Sequence, residues 1–293
     1  MKIIDCLMYF DEDMMLDIRL NVLNKFVSHF VICEAAFNHK GIPKKLNFNI
    51  NNFSKFKDKI SYVVVDKQPD TLRKINENDN IIKKNSKILD NALIRENYQR
   101  NYLASKLTGF LDDDLIIIND LDEIPNLNNF KYKNKITVFK QKMFYYKLNL
   151  VYPDFLWPGS KICKKKDLIS PQWLRNVKSK KYPLWRLDSF FSQKKYSDIN
   201  FIENGGWHFT NIKTPEEIDK KLRSYMHHPE YDQSNIGPKE IDRMIKERKP
   251  VYDLMANSSE VKDRSNTKLK VVNINELPIF IRQNRDKYND WIL

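Results

Sequence analysis

Apolar positions in the first 125 residues fall into two spacings. "KIIDCLMYF" is a nearly continuous apolar run and predicts a strand. In "MLDIRLNVLNKF", Leu16, Leu20, Leu23 and Val27 recur at i, i+4, i+7 and i+11, which is one face of a helix. "HFVIC" (His29 to Cys33) and "YVVVD" (Tyr62 to Asp66) are short runs with β-branched residues, hence strands. "DNALIRENYQRNYLASKL" (Asp90 to Leu107) predicts a helix with Asp90 as N-cap and Ile94, Tyr98 and Tyr102 on one face. Glu96 and Arg100 form an i, i+4 pair in the favourable order. "LIIIN", from Leu115, is the next strand. The polar stretch from Asn76 to Lys87 predicts an exposed loop, as does Ala256 to Thr267.

Strands that alternate with helices predict an α/β protein with a mostly parallel sheet flanked by helices. Continuous apolar strands fit burial on both faces. Past Pro125 the pattern changes. "KITVFK" and "KMFYYKLNL" read as strands of a more antiparallel kind, and "ENGGWHF" as a turn followed by a short strand. "TPEEIDKKLRSYMHH" carries a full capping box: Thr214 as N-cap, Pro215 at N1 and Glu217 at N3, with Ile218, Leu222 and Met226 as the buried face. "GPKEIDRMIKER" predicts another helix, striped by Ile241, Met244 and Ile245. No internal repeat interrupts this order, so residues 1–293 are read as one domain with C-terminal helices.

Composition adds a few bounds. Six glycines argue against Gly-rich phosphate loops. The three cysteines are odd in number, and Cys6 and Cys33 sit in apolar runs, which predicts buried free thiols in a reducing compartment. Asp5 interrupts the N-terminal apolar stretch, and no run approaches the roughly 18 apolar residues of a membrane span. A soluble, cytoplasmic protein is therefore expected. The net charge of +13 attracts anions and would favour peripheral contact with an acidic membrane surface.

The chemistry concentrates in "LIIINDLDEIP". A buried strand ends on Asp120, Asp122 and Glu123. Crowded carboxylates repel, so a positive group or water belongs among them. In open α/β sheets, ligands bind outside the carboxyl ends of the strands. Other such ends are Tyr9 and Phe10 after the first strand and Glu34 after the second. Side chains two apart on an extended segment point the same way, so Asp120 and Asp122 can meet one hard cation, Mg²⁺ or Mn²⁺. Such an ion takes one or two carboxylates and leaves the rest of its shell to phosphate and water. This is the logic of a nucleotide-sugar transferase, in which charge on the leaving diphosphate is stabilised and a carboxylate takes the acceptor's proton.

"FDEDMMLDIRLNVL", "FVICEAAFNHKGIPKKLNF", "IIINDLDEIP" and "GGWHF", in that order and spacing, resemble glycosyltransferase family 17 over about residues 3–230. The resemblance implies a GT-A type, Rossmann-like fold, a UDP-sugar donor, with N-acetylglucosamine the expected sugar, and inversion. It assigns the nucleotide to residues 1–125 and the acceptor to residues 126–293. Asp120 and Asp122 match the metal-binding Asp-x-Asp, and His208 of "GGWHF" matches a late histidine that completes such metal sites. Glu34 sits where uracil or ribose is held, with Tyr9 and Phe10 nearby. Arg95 and Gln99, one helical turn apart, are candidates to reach the donor. Asp188 of "PLWRLDSFF", among Trp185, Phe190 and Phe191, is the first candidate base, because an apolar setting raises a carboxyl pKa. Glu203 is its rival. Trp157 is a core residue or a platform under a sugar. Without an anchor or a disulfide pattern, the acceptor is expected to be a polysaccharide, lipid-linked or protein-linked glycan.

Two other classes fit parts of the sequence. A metal-dependent nuclease or phosphohydrolase would use the same carboxylates, but two-metal sites need more ligands than this cluster offers. A nucleic-acid-binding protein would use basic runs such as "KICKKKD" and "KSKKY". The lysines are spread along the whole chain and not gathered in one stripe, so no nucleic-acid partner is expected.

Overall fold

The computed structural model describes residues 1–183, 185, 192–224, 236–251 and 267–293. Four strands form the first half: β1 (Ile3–Tyr9), β2 (His29–Ala35), β3 (Ile60–Val65) and β4 (Leu115–Asp120). β1 lies between β2 and β4, parallel to both, and β3 runs parallel outside β2. Their alternate side chains feed two cores. Leu7, Phe30, Ile32 and Ile117 pack with Leu16, Leu20 and Leu23 of helix α1 (Asp13–Leu23). Cys6, Val31, Cys33 and Ile116 face the other way, where Tyr98 and Tyr102 of α2 (Ile81–Tyr102) cover them. Burial on both faces explains why these strands are apolar throughout. Cys6, Cys33 and Cys163 are all buried free thiols.

The second half adds β5 (Glu123–Pro125), β6 (Ile136–Tyr145), β7 (Leu150–Lys164), β8 (Ile199–Ile202), β9 (Gly206–Thr210) and β10 (Lys270–Val271). The sheet order is β3-β2-β1-β4-β7-β6-β9-β5, with β8 on β6 and β10 on β7. β7 is antiparallel to β4 and β6, and β5 is antiparallel to β9, whereas β8 and β9 run parallel to β6. The sheet is mostly parallel and Rossmann-like, and its second half is mixed. A short helix α3 (Pro171–Asn176) packs Trp173 and Leu174 onto the second core. α4 (Pro215–Ser224) and α5 (Pro238–Glu247) bury Ile218, Leu222 and Ile241 against Tyr145, Tyr146 and Leu150, and α6 (Ile279–Gln283) buries Ile281. The predicted capping box is present: Thr214 N–H donates to Glu217 Oε2 at 2.9 Å, and Glu217 N–H to Thr214 Oγ1 at 3.3 Å. Met226 and the 256–266 part of the predicted loop lie outside the described residues.

Two expectations are corrected. The stretch 76–87 is not all loop, because α2 begins at Ile81. Asn80 is its N-cap, accepting the Lys83 N–H at 2.9 Å, while Asp90 lies inside the helix and pairs with Arg73 at 2.7 Å. This first turn leaves Ile81 and Ile82 in solvent between polar neighbours, so it carries no periodic apolar signal. "KITVFK" and "KMFYY" are one continuous strand, β6, with register shifts against β7 at Val138/Lys140 and Lys142/Phe144.

One contact ties the first half to the acidic turn. Arg19 of α1 is fully buried and makes a two-pronged ion pair with Asp5 of β1, 2.7 Å on each prong. Its remaining nitrogen, Nη1, donates to the carbonyls of Asp120, Leu121 and Glu123 at 3.2, 3.0 and 2.6 Å. Asn119 donates to Asp5 and to the Cys6 carbonyl, 3.0 Å each. Breaking a buried pair leaves an uncompensated charge. Arg19→Met is therefore expected to lower stability by about 3–5 kcal/mol, read as a lower urea midpoint in equilibrium unfolding.

Candidate active site

The turn after β4 brings Asp120, Asp122 and Glu123 together because Arg19 holds its carbonyls. Like charges there are separated by cations. Asp120 accepts from Arg100 of α2 at 3.0 Å and from Arg175 of α3 at 2.9 Å. Burial alone would raise its carboxyl pKa; Arg175 and Arg100 outweigh that and hold it well below the usual carboxylate range. Glu123 is fully buried. It accepts from Trp157 Nε1 at 2.6 Å, from Arg175 at 2.7 and 3.1 Å, and from the Asp120 N–H at 3.0 Å. Glu123 thus fixes the turn and its arginine, and Trp157 is part of the same support.

His208 arrives by strand pairing. β9 runs antiparallel to β5, which sets His208 opposite Glu123. Gly206 has φ +119°, and a Cβ there would collide with the Ile124 carbonyl; at Gly205 it would meet the Lys140 backbone. The two glycines let β9 approach this closely. His208 Nε2 lies 3.5 Å from Asp122 Oδ1, and Trp157 tilts over its ring at 5.3 Å between centroids. Burial disfavours the imidazolium, but Asp122, with Glu123 and Asp120, outweighs this and the pKa is raised; reciprocally, His208 and Lys221 hold Asp122 low against its own burial. Lys221 of α4 stands 3.9 Å from Asp122 and 3.5 Å from Glu12.

These groups line a cavity of about 250 Å³ outside the carboxyl ends of β1, β2 and β4. Its lining includes Tyr9, Phe10, Phe37 and Asn38 together with Arg100, Asp120, Asp122, His208 and Lys221. Among the described residues, no group of three or more His, Cys, Asp and Glu is placed to hold a metal alone. The donor chemistry nevertheless suits a divalent cation that shares its shell with phosphate: Asp122 supplies oxygen, and His208 supplies nitrogen, with its Nδ1 buried and without a hydrogen-bond partner. Asp120 fits less well as a ligand, since both its oxygens already face guanidinium groups.

The family model for glycosyltransferase family 17 matches residues 1–293. The chain belongs to glycosyltransferase family 17. It is similar to the β-1,4-mannosyl-glycoprotein 4-β-N-acetylglucosaminyltransferases of Homo sapiens and Rattus norvegicus, 25% identical to each over 232 residues. That alignment takes in 72% of this chain and 40% of the relative, so the chain spans well under half of those proteins' length. The Mus musculus enzyme of the same name is 24% identical over the same span.

Within this glycosyltransferase the candidate residues separate into three groups. Tyr9, Phe10, Gln99, Asp120, Asp122 and His208 line the cavity. Glu34 and Arg95 lie behind it. Glu34 is fully buried and accepts from Lys44, from the N–H groups of Asn47 and Phe48 at 2.8 and 3.1 Å, and from Tyr62 at 2.8 Å. It thereby seats Lys44, which does reach the cavity. Arg95 donates to Gln68 at 2.7 Å and to the His39 carbonyl at 3.1 Å, close under Gly41, and so braces the loop that carries Asn38 and His39. Glu203 is exposed and paired with Lys140 at 2.7 Å, away from the cavity lining. Asp188 lies outside the described residues.

Arg100, Arg175 and Lys221 went unread as site residues. Arg100 was visible only as the partner of Glu96, a bond it does make at 2.8 Å. Arg175 sits in a six-residue helix with no charge pattern of its own. Behind it, the buried Lys161 donates to the carbonyls of Arg175 and Val177, 2.6 Å each, at the end of α3. Burial draws the Lys161 ammonium down to about 7; Arg175 adds to this and Glu123 opposes it. An unfolded lysine titrates near 10.4. Between these values the unfolded chain binds the extra proton, so stability rises with pH. Calorimetric Tm values for wild type minus Lys161→Met are expected to grow from pH 7 to 9 and to be flat below pH 6.

Proposed function

We propose that the chain transfers N-acetylglucosamine from a UDP-sugar to a glycan hydroxyl, with inversion at the anomeric carbon. One observation carries this reading. Asp122 and His208, far apart in sequence, converge at 3.5 Å on the wall of a cavity that also gathers Arg100, Lys44 and Lys221. That is an anion site beside a cation site, and a nucleoside diphosphate with its metal needs both. The family and the relatives' names support the sugar-transfer reading.

Each part of the cavity then has a task. Phe10 and Phe37 offer rings, and Asn38 an amide, for a base that stacks and hydrogen-bonds at its edge. Arg100 and Lys221 meet the diphosphate, and Arg100, held by Glu96 and Asp120, is oriented before it arrives. Asp122 and His208 would hold Mn²⁺ or Mg²⁺, which when bound supplies further positive charge to the leaving diphosphate. The acceptor is read as a glycan on a lipid, protein or polysaccharide carrier. The relatives' name specifies a mannosyl-glycoprotein for those enzymes. No helix among the described residues is long and apolar enough to cross a membrane, and the +13 charge supports contact with anionic surfaces.

Calorimetric titration of UDP tests the donor site. Binding is expected to need Mn²⁺ and to weaken at least about 100-fold in Asp122→Ala, as when a charged group loses its partner. Glu203→Ala is expected to bind as wild type does. No UDP binding with or without Mn²⁺ would overturn the proposal.

A further inference from the structure

Behind the donor cavity lies a second one, of about 270 Å³. Its apolar lining includes Met14, Phe209, Ile212 and Trp291, and its polar lining includes Asn211 and Lys213. Asp122, Lys221 and Glu12 line both cavities and form the partition between them. An indole beside amide and charged groups is the chemistry that receives a sugar, whose ring has apolar faces and a polar edge.

Of the carboxylates on this second cavity, most are committed. Asp11 is paired with Lys213 at 2.6 Å. Asp13 accepts from the Tyr9 hydroxyl and from the Asn52 amide, the latter at 2.9 Å. Glu217 caps α4 by accepting the Thr214 N–H at 2.9 Å. Asp122 faces His208 and Lys221. Glu12 differs. It occupies the N-cap position of α1, but its side chain makes no capping bond. Among the described residues its side chain's polar contacts are long, 3.3 Å from the Asp11 N–H and 3.5 Å from Lys221. A carboxylate has about four lone-pair sites, so capacity remains for another donor.

We infer that the second cavity receives the acceptor sugar and that Glu12 is the general base for its attacking hydroxyl. This rests on the UDP-sugar transferase reading. The hydroxyl oxygen forms a bond to the donor's anomeric carbon as that carbon's bond to the diphosphate oxygen breaks. The electron pair leaves with the diphosphate, and the hydroxyl proton passes to a Glu12 carboxylate oxygen. A carboxylate on the partition is where the two substrates must meet, whereas Glu203 pairs with Lys140 outside both cavities.

The test uses Glu12→Gln, Glu12→Asp, Trp291→Ala and, as the rival base, Asp188→Asn. UDP affinity with Mn²⁺ is measured by calorimetry, binding of a panel of methyl glycosides to the UDP-loaded protein by saturation-transfer NMR, and turnover of UDP-N-acetylglucosamine with the glycosides that bind. Glu12→Gln is expected to keep UDP affinity within about threefold and to lower kcat at least about 100-fold, the scale of a lost general base, with Glu12→Asp recovering part of it. Trp291→Ala is expected to weaken glycoside binding and leave UDP affinity alone. Turnover in Glu12→Gln within threefold of wild type, or a loss in Asp188→Asn alone, overturns the base assignment. Glycosides that do not bind, or that bind Trp291→Ala as well as wild type, overturn the acceptor site. Failure of wild type to bind UDP refutes the transferase reading itself.

Discussion

The fully buried guanidinium of Arg19 is the constraint on which the site depends. It cancels the charge of Asp5 in the middle of β1, and with its remaining nitrogen it gathers three carbonyls of the acidic turn. The turn's backbone is thereby fixed through its carbonyls, while the buried Glu123 carboxylate takes up the Asp120 N–H. Asp120 turns to Arg100 and Arg175, and Asp122 to His208 and Lys221. A buried ion pair of this kind contributes little net stability against an apolar pair of the same shape. Its value here is geometric, since one planar group bonds a strand and a turn at once.

Around that turn the charges are arranged in opposition. Asp120, Asp122 and Glu123 face Arg100, Arg175, Lys221 and His208, each drawn from a different element. The opposed charges hold the carboxyls of Asp120 and Asp122 low and raise Arg175 and Lys221, each against its own burial. A site of this kind is polar without being solvent-like, and fixed charges in a partly dry cavity act more strongly than the same charges in water. The cavity also carries the rings of Tyr9, Phe10 and Phe37, with Lys44 5.1 Å from the centre of the Phe10 ring. Rings and fixed charges together suit the flat base and the diphosphate of the proposed donor.

Much of the first half was legible because its signals are local. Apolar runs buried on both faces, the leucine stripe of α1 and the capping box of α4 each need only neighbouring residues to declare themselves. The Asp-x-Asp turn and the histidine of "GGWHF" were legible through a strand end and a pair of glycines, and both line the cavity. Glu34 was found for its position after β2, yet it works behind the wall; sequence shows that a strand ends there, not which way its last side chain turns. Arg175 and Lys161 were not legible, because their roles follow from β7 crossing beside β4, a pairing between residues far apart that no periodicity encodes. The first turn of α2 escaped for the opposite reason: it buries almost nothing, and only the Asn80 cap marks it.

The order in which the chain emerges during synthesis gives the charge arrangement a further meaning. Asp120 precedes Arg175 by 55 residues, and His208 and Lys221 come later still. At roughly 5–20 residues per second, the acidic turn waits several seconds for its counter-charges. Of the cations that pair with its carboxylates among the described residues, Arg100 alone is already made during that interval, while Arg19 holds the turn's backbone. The acidic turn thus completes its pairings only with the second half of the chain.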